Sequence, residues 1–310
     1  MRNRFVRWLK GEAPRMVGVY SGPLGVCLSS YSDEMVPMVV YQPETRDSEL
    51  PLWEASLARL EILTGVGRRQ MSLSVALPSD DVFLRTISAP SSLTDAQLEQ
   101  VAIVEAVSNL PVPPEEICLD FTRELSGAPS NQNVRMAFCR RERVDEIEAN
   151  SEEVRVPVWV VDRDIQAIHD AVTHLGKPGN KLSSSYPFGI LLTERSLRLV
   201  ICLGETDLDA YPLRSSEQGS LISENLPDQL ANAWLRCRMS RVGLPERLTF
   251  LYITGKSTEL DQSLLSAIDA KLCPAAFFSA QETIENQDDE LMPPDEALLV
   301  ALGMALRSLS

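Results

Sequence analysis

Residues 71–121 decide the fold, and their sequence is MSLSVALPSDDVFLRTISAPSSLTDAQLEQVAIVEAVSNLPVPPEEICLDF. The first part predicts two β-strands, residues 71–77 and 82–88, because apolar residues recur at alternate positions in both. Each of these strands is therefore expected to bury one face and expose the other.

The helix that follows has a well-marked start and end. Thr94 and Gln97 fit a capping box, in which the side chain of each residue accepts a hydrogen bond from the backbone N–H of the other. The helix is therefore predicted to begin at Asp95. Pro111 stops it, because proline cannot continue the helical hydrogen bonds and restricts the residue before it. A return strand is predicted over residues 115–121.

Composition and charge exclude several classes of protein. The 310 residues allow about two domains, and 29 basic against 44 acidic residues give a net charge of −15. Such a charge argues against a nucleic acid as the main partner. The sequence has neither an apolar run of about 18 residues, the minimum for a membrane span, nor a signal peptide. We expect a protein of the cytoplasm, soluble or at most peripheral to the membrane.

The cysteines and histidines do not indicate a metal site. Six cysteines show no metal-type pairing and are predicted to be buried, reduced thiols without disulfides. A helix is predicted at residues 164–175, and it carries His169 and His174. The two are five residues apart, which places them on different faces of that helix. Both are interpreted as ordinary surface or boundary residues, and no metal ligand is assigned.

The N-terminal residues 2–10 mix basic and apolar side chains. Two interpretations remain open for them. The segment can lie weakly on an anionic membrane surface with Phe5, Trp8 and Leu9 turned inward, or it can be a frayed terminus.

Several stretches along the chain form a recognisable series. They are Ala76-Leu77-Pro78, the helix with Glu105, Leu110-Pro111-Val112-Pro113, Leu119-Asp120-Phe121, VRMAFCRRERV at 134–144, Trp159-Val160-Val161-Asp162 and ALLVALGMALR at 297–307. These stretches resemble the PilM family of type IV pilus assembly proteins, which is similar to the cell-division protein FtsA, and they occur in the family's order along most of the chain.

The resemblance implies an α/β protein with the two-domain actin-like ATPase superfold. Domain I would span residues 1–160 and contain a small inserted subdomain of the β-α-β-β-α type at 71–150. Domain II would span 161–290. A C-terminal helix, 291–310, would return to domain I.

In this superfold a nucleotide binds between two phosphate loops and an adenosine loop, and all three depart from the family pattern here. Tyr20 stands at an aspartate position, and a phenol cannot organise the hydration shell of a metal ion as a carboxylate does. The resemblance leaves Ser21, Gly22, Thr193 and Gly255 as residues of a degenerate nucleotide cleft.

The resemblance assigns no catalytic residue. We expect no cofactor, with ATP bound weakly or not at all. Ser21 and Gly22 equally suit an ordinary turn. A β-hairpin is predicted at residues 188–203, with Glu194 in its turn. Glu194 could serve as a general base for water, although a charged hairpin tip explains it as well.

A partner site is also implied by the resemblance. The extended cytoplasmic tail of PilN would lie between domain I and the inserted subdomain, held by apolar anchors and backbone hydrogen bonds. The candidate anchors are Val82, Leu84, Leu98, Val101 and Val104. Their strand or helix spacing suits an internal core equally well.

Three functional classes follow. The first is an adaptor peripheral to the inner membrane that binds the N-terminal tail of a PilN-like protein and other pilus assembly proteins, in a type IV pilus or a related DNA-uptake or secretion system. The second is an active actin-like ATPase or kinase-type enzyme. The third is the cytoplasmic part of a GspL-type secretion protein, whose chain would continue into a transmembrane helix beyond Ser310. The degenerate loops and the end of the sequence at Ser310 favour the first class.

Overall fold

The computed structural model describes residues 14–44, 51–124, 131–175, 186–194, 197–214, 225–255, 262–284 and 292–307. The N-terminal residues 2–10 lie outside this part of the chain. In chain order the elements are β1 (Arg15–Gly22), β2 (Gly25–Tyr31), β3 (Pro37–Gln42), α1 (Leu52–Thr64), β4 (Met71–Leu77), β5 (Phe83–Pro90), α2 (Asp95–Asn109), β6 (Ile117–Glu124), β7 (Asn131–Arg140), α3 (Arg141–Val154), β8 (Val158–Arg163), α4 (Asp164–Leu175), β9 (Phe188–Leu192), β10 (Arg198–Cys202), β11 (Leu208–Pro212), α5 (Leu226–Ser240), β12 (Leu251–Thr254), α6 (Gln262–Lys271), β13 (Ala275–Phe277) and α7 (Asp295–Leu306).

The chain divides into two compact units. One combines Met1–Ala76 with Val154–Ser310, and the other is Leu77–Glu153. We call them the main unit and the inserted unit. The sequence prediction started the inserted subdomain at residue 71, whereas β4 is a strand of the main unit.

The first sheet of the main unit has the strand order β3-β2-β1-β4-β8. β1 pairs antiparallel with β2 and parallel with β4. All seven residues of β4 are buried, including Ser72 and Ser74, so the prediction that β4 exposes one face is wrong. The alternating serines suggested a solvated face, but β4 is an interior strand and both of its faces are covered.

The second sheet of the main unit has the strand order β11-β10-β9-β12-β13. β9 and β10 form the predicted antiparallel hairpin, with Leu192 opposite Arg198, and β12 runs parallel to β9. One face packs on α5 and α6 through a core that includes Leu230, Trp234 and Ile268.

Helix α7 lies between the first sheet and α4, and all but its last residue are buried. Gly18 of β1 permits the approach on one side, since a Cβ there would lie 1.9 Å from the carbonyl oxygen of Ala301. Gly303 permits it on the other side, where a Cβ would lie 1.8 Å from the carbonyl oxygen of Ala167. Backbone packs directly on backbone at both places, and only glycine leaves room for this.

The inserted unit is a three-stranded antiparallel sheet, β5-β7-β6, with α2 packed on one face. The predicted capping box is present, because the Thr94 hydroxyl accepts from the backbone N–H of Gln97 at 3.3 Å and the Gln97 side chain accepts from the N–H of Thr94 at 2.9 Å. The predicted start of the helix at Asp95 is therefore confirmed. Ala102, Ala106, Met136 and Phe138 are among the residues that fill the space between helix and sheet.

None of the helices in the described ranges combines the length and the apolar character that crossing a bilayer requires.

Candidate nucleotide cleft and partner-binding surfaces

The first hairpin of the main unit carries two of the predicted cleft residues. The hydroxyl of Ser21 accepts a hydrogen bond from the indole N–H of Trp53 at 3.1 Å. Gly22 lies beside Tyr20, because a Cβ on Gly22 would lie 2.9 Å from the phenol oxygen. Tyr20 itself is buried in the main core. The phenol at the aspartate position is therefore a packing residue, and the hairpin holds no carboxylate there.

The other two predicted cleft residues meet at the ends of β9 and β12. The Thr193 hydroxyl donates to the carbonyl oxygen of Thr254 at 2.6 Å. Gly255 follows Thr254 with a φ of +99°, in the left-handed region that favours glycine. A Cβ on Gly255 would lie 2.3 Å from the Thr193 hydroxyl. Thr193 and Gly255 thus form one closely packed site. Ser21 contacts Trp53 and Gly22 lies beside Tyr20 instead.

Glu194 binds the start of the last described helix. Its Oε2 atom accepts a hydrogen bond from the backbone N–H of Glu296 at 2.8 Å, in the first turn of α7. A carboxylate is favoured there, because the N–H groups of a first turn lack partners within the helix. Glu194 also lies near the first sheet. The pKa of Tyr41, on β3, is raised mainly by burial, and the negative charges of Cys27 and Glu194 raise it further. The carboxylate therefore has a structural partner, which neither interpretation of Glu194 from the sequence included.

Asp295 occupies a cluster of converging donors. Its Oδ1 atom accepts from the backbone N–H of Ala280 at 3.0 Å, from that of Gln281 at 3.2 Å and from the Ser279 hydroxyl at 3.2 Å. The backbone of Gly255 is a further donor. Burial raises the pKa of Asp295, and these donors oppose that rise. Converging backbone N–H groups form an anion-binding site, and here the anion is a side chain of the protein.

A buried charge cluster includes Glu296, the residue that follows Asp295. Arg198, on β10, contacts Asp164 at 3.3 Å and Glu296 at 3.1 Å, and all three side chains are buried. Buried ions are tolerated only when they are paired and hydrogen-bonded. The cluster joins β10 to the first residues of α4 and α7.

The prediction that both histidines are surface or boundary residues is wrong for His169. His169 is buried, with its ring nitrogens 2.9 Å from Asp170 Oδ1 and 3.1 Å from the Tyr186 hydroxyl. The spacing argument considered only one helix, and it could not include the contact with Tyr186. His174 is exposed. Across the ranges described above, no three histidine, cysteine, aspartate or glutamate side chains are placed to hold a metal ion together.

The five predicted partner anchors do not form one surface. Leu98 is 0% exposed and packs with Ala89 and Val134, so it is a core residue and cannot be an anchor. Val101 and Val104 lie on the outer surface of α2, with exposed fractions of 42% and 72%.

The two remaining anchors lie on the other side of the sheet. Phe83 stacks on Phe138 at 5.4 Å, on the side covered by α2. Because side chains alternate along a strand, Leu84 points to the opposite side. Val82 directly precedes β5 in extended backbone, with φ −115° and ψ 120°, and follows the same alternation. Both side chains are half-buried. Two separate candidate surfaces result: the helix surface (Val101 and Val104) and the sheet surface (Val82 and Leu84).

Sequence reasoning missed the roles of Asp295 and Glu296. Their position directly after Pro293-Pro294, at the start of an apolar helix, is a signal for acidic residues at a helix N-terminus. The donors that Asp295 binds come from residues 279–281, and nothing in the sequence places that segment beside α7.

Comparison with known proteins supports the fold and the resemblance. Residues 54–182 match the family model of type IV pilus assembly protein PilM. A chain of a PilM-PilN type IV pilus biogenesis complex has the same fold, with a TM-score of 0.67 and 17% identity over 96% of this chain and 99% of that one. The predicted likeness to the PilM family is therefore confirmed. So is the predicted fold class, an actin-like fold with a small inserted subdomain.

Two further solved structures are similar at lower scores. The cytoplasmic domain of EpsL, an inner-membrane component of the type II secretion system of Vibrio cholerae, has a TM-score of 0.49 and 14% identity over 94% of this chain and 95% of that one. A protein of unknown function with an actin-like ATPase fold from Bacteroides thetaiotaomicron has a TM-score of 0.46 and 10% identity over 89% of this chain and 94% of that one.

Proposed function

We propose that this protein is an adaptor at the cytoplasmic side of the inner membrane, in a type IV pilus or a related DNA-uptake or secretion system. It binds the short N-terminal tail of a PilN-like membrane protein and does not turn over nucleotide. Other pilus assembly proteins are its further partners, and its contact with the membrane runs through them or weakly through residues 2–10. The main support for this role is the fold: 96% of this chain aligns with a protein solved as part of a PilM-PilN complex.

The geometry of the cleft supports binding without turnover. Asp295 fills a cluster of backbone donors, Glu194 binds the first turn of α7, and Thr193 binds the carbonyl of Thr254. A triphosphate would compete with two carboxylates of the protein for these donors. The aspartate position of the first hairpin carries Tyr20. In this proposal Ser21, Gly22, Thr193 and Gly255 are the remnant of a nucleotide cleft, which binds ATP weakly or not at all.

The inserted unit supplies the binding surface in this proposal. Leu84 of the sheet surface lies on β5, an edge strand of the three-stranded sheet, and an extended peptide can pair with such an edge. The helix surface is only a short apolar stripe on α2. We expect the sheet surface, with Leu84 as its main anchor, to bind the tail.

A calorimetric titration tests the proposal. A synthetic peptide of the partner's cytoplasmic tail is added to the whole protein, and amide hydrogen exchange locates the contact. We expect saturable binding at one peptide per chain and slower exchange within residues 77–153. Leu84→Ser should weaken binding by about tenfold, equal to ~1.4 kcal/mol, and Val104→Asp should leave it unchanged. Val242→Asp, at a fully exposed position of the main unit, is the control for the negative charge that Val104→Asp adds.

The outcomes separate the functional classes. If the peptide produces no heat and protects no amide of the inserted unit, the adaptor proposal is wrong. The same protein is then titrated with ATP and Mg²⁺, and phosphate release is followed. Stoichiometric uptake of ATP with steady release of phosphate would establish the alternative, an active actin-like ATPase or kinase-type enzyme.

A further inference from the structure

Two cysteines of the inserted unit lie directly opposite each other on neighbouring antiparallel strands. Cys118 of β6 pairs in register with Cys139 of β7. The Cα atoms of such a pair are about 4.5 or 5.5 Å apart, and disulfides span Cα distances of about 4.4–6.8 Å. The two strands are thus already positioned for a disulfide. Both cysteines are reduced in this structure.

The two thiols contact each other and differ in exposure. A side-chain hydrogen bond joins them. Cys118 is half-buried, and Cys139 is only 6% exposed. A small oxidant can therefore reach Cys118 first, with Cys139 next to it as the second thiol.

The surroundings of Cys118 favour its thiolate. The guanidinium of Arg141 donates to the carbonyl oxygens of Glu115 at 2.7 Å and Ile117 at 3.1 Å, which holds its positive charge beside the start of β6. The hydrogen bond from Cys139 lowers the pKa of Cys118 to about 6, and Arg141 contributes to that shift.

The negative charges near the pair do not reverse this difference between the two thiols. Burial, Asp145 and Glu148 raise the pKa of Cys118 but do not cancel the lowering. The pKa of Cys139 is raised, mainly by the same hydrogen bond and by burial, with a smaller contribution from Asp81. A thiolate beside a protonated thiol is the arrangement of a reactive cysteine and its resolving partner.

The other four cysteines provide an internal contrast. Cys27, Cys202, Cys237 and Cys273 are each 0% exposed in the main unit, and burial raises the pKa of every one of them. Buried thiols in apolar surroundings are inert.

We propose that Cys118 and Cys139 form a dithiol that a peroxide converts reversibly into a disulfide. The Cys118 thiolate attacks one oxygen of hydrogen peroxide, the O–O bond breaks, and the leaving hydroxide takes a proton to become water. The sulfur of Cys139 then attacks the resulting sulfenic acid and loses its proton, and the S–O bond breaks with release of a second water. Two thiols are oxidised and one peroxide is reduced to two waters. A thiol reductant reverses the change by thiol–disulfide exchange.

The experiment uses the whole protein under native conditions. The reduced protein is treated with a stoichiometric amount of hydrogen peroxide, remaining thiols are alkylated, and peptides are identified by mass spectrometry without reduction. We expect free thiols to fall by two per chain and a linked peptide containing Cys118 and Cys139 to appear. Dithiothreitol should restore both thiols.

Single variants separate the two roles. Cys139→Ser should stop the reaction at the sulfenic acid of Cys118, which dimedone traps, and Cys118→Ser should protect Cys139 from oxidation. Cys237→Ser, at a buried position of the main unit, should react as the wild type does. Circular dichroism of each variant checks that the fold is retained.

Two results would overturn the proposal. One is wild-type protein in which Cys118 remains a thiol, or is oxidised to sulfinic acid, without a linked peptide. The other is a linked peptide that joins a different pair of cysteines. The readout is a covalent bond, so it is independent of the proposed binding function.

Discussion

At the residue scale, Gly303 marks the closest approach of α7 and α4. A Cβ at this position would lie 1.8 Å from the carbonyl oxygen of Ala167, and that oxygen belongs to a helix backbone that cannot rotate away. We expect Gly303→Ala to lower the free energy of unfolding by about 3 kcal/mol or more, at or above the upper end for overpacked cores. Urea denaturation measures the change.

Gly67 offers the matched control for the same substitution. It has a φ of −76°, and a Cβ there would meet no atom within 4 Å. Gly67→Ala should leave stability unchanged or raise it by about 0.5 kcal/mol, because alanine restricts the unfolded chain. Equal effects of the two substitutions would contradict the packing described for α7.

A second residue-scale prediction concerns Arg198. Replacing it by Met removes the cation and leaves Asp164 and Glu296 as buried neighbours without their shared partner. We expect a loss of about 3–5 kcal/mol, the typical cost of breaking a buried ion pair. Thermal unfolding followed by circular dichroism provides the measurement.

A second substitution should restore part of the stability that Arg198→Met loses. Glu296→Gln in the Arg198→Met background removes one of the two like charges, so it should recover part of the lost stability. A double variant that is less stable than Arg198→Met alone would show that Glu296 is needed for another contact.

The reactivity of Cys118 should depend on pH in a predictable direction. With its pKa lowered to about 6, the thiol is mostly thiolate at pH 7 and becomes protonated as the pH falls through 6. The rate of alkylation by iodoacetamide should therefore be half-maximal near pH 6 and level above about pH 7, whereas an unperturbed thiol with a pKa of about 8.5 still gains rate there.

Substitution of Arg141 tests whether its positive charge contributes to the low pKa of Cys118. Arg141→Gln should move the half-maximal point to higher pH, because a positive charge near the thiolate is lost. Arg85→Gln removes the same charge on the α2 side of the sheet, where Arg85 contacts Asn109, and it should leave the profile unchanged. A profile that does not respond to Arg141→Gln would assign the low pKa to the hydrogen bond with Cys139 alone.

At the scale of elements, the start of α2 depends on one side chain. Thr94→Ala removes the hydroxyl that accepts from the N–H of Gln97, and loss of such a cap costs about 1 kcal/mol. Hydrogen exchange should show faster opening in the first turn of α2 and a smaller effect on the main unit. Gln100→Ala, at an exposed position of the same helix, is the control and should change little.

Elements with local signals were predictable from the sequence. The capping box placed the start of α2 at Asp95, and the prediction of a helix at residues 164–175 agrees with α4. β4 shows the limit of this reasoning. Serine at alternate positions is typical of a solvated face, but Ser72 and Ser74 are buried because other elements cover both sides of the strand. Burial of small polar residues depends on neighbours that are distant in sequence.

The candidate site was predictable only in part, for the same reason. Thr193 and Gly255 were expected in one cleft, and they do meet. The binding of Asp295 to residues 279–281 depends on how loops are arranged in three dimensions, which no local pattern encodes. Leu98 and Val101 are neighbours in one helix, yet one is core and the other surface. Helical spacing alone does not say which stripe faces the sheet.

At the scale of the whole molecule, order along the chain carried information that single motifs did not. No one stretch of the PilM resemblance is specific, but the stretches follow one another in the family's order. The same fold is shared over 96% of the chain at only 17% identity, so a few matching residues in each stretch accompany a common fold. In this chain the close contacts between backbones, at Gly18 and Gly303, lie far apart in the sequence.

The burial of α7 has a consequence for how the protein is synthesised. β1 leaves the ribosome well before α7, the helix that completes the core against it. Until then the nascent first sheet keeps apolar surface open to solvent, a condition in which chains aggregate or recruit chaperones. The inserted unit has its own core between α2 and its sheet, so it can fold while translation continues. Ribosome-bound chains stalled before Asp295 should therefore carry a protease-resistant fragment within residues 77–153 and a main unit that is still digestible.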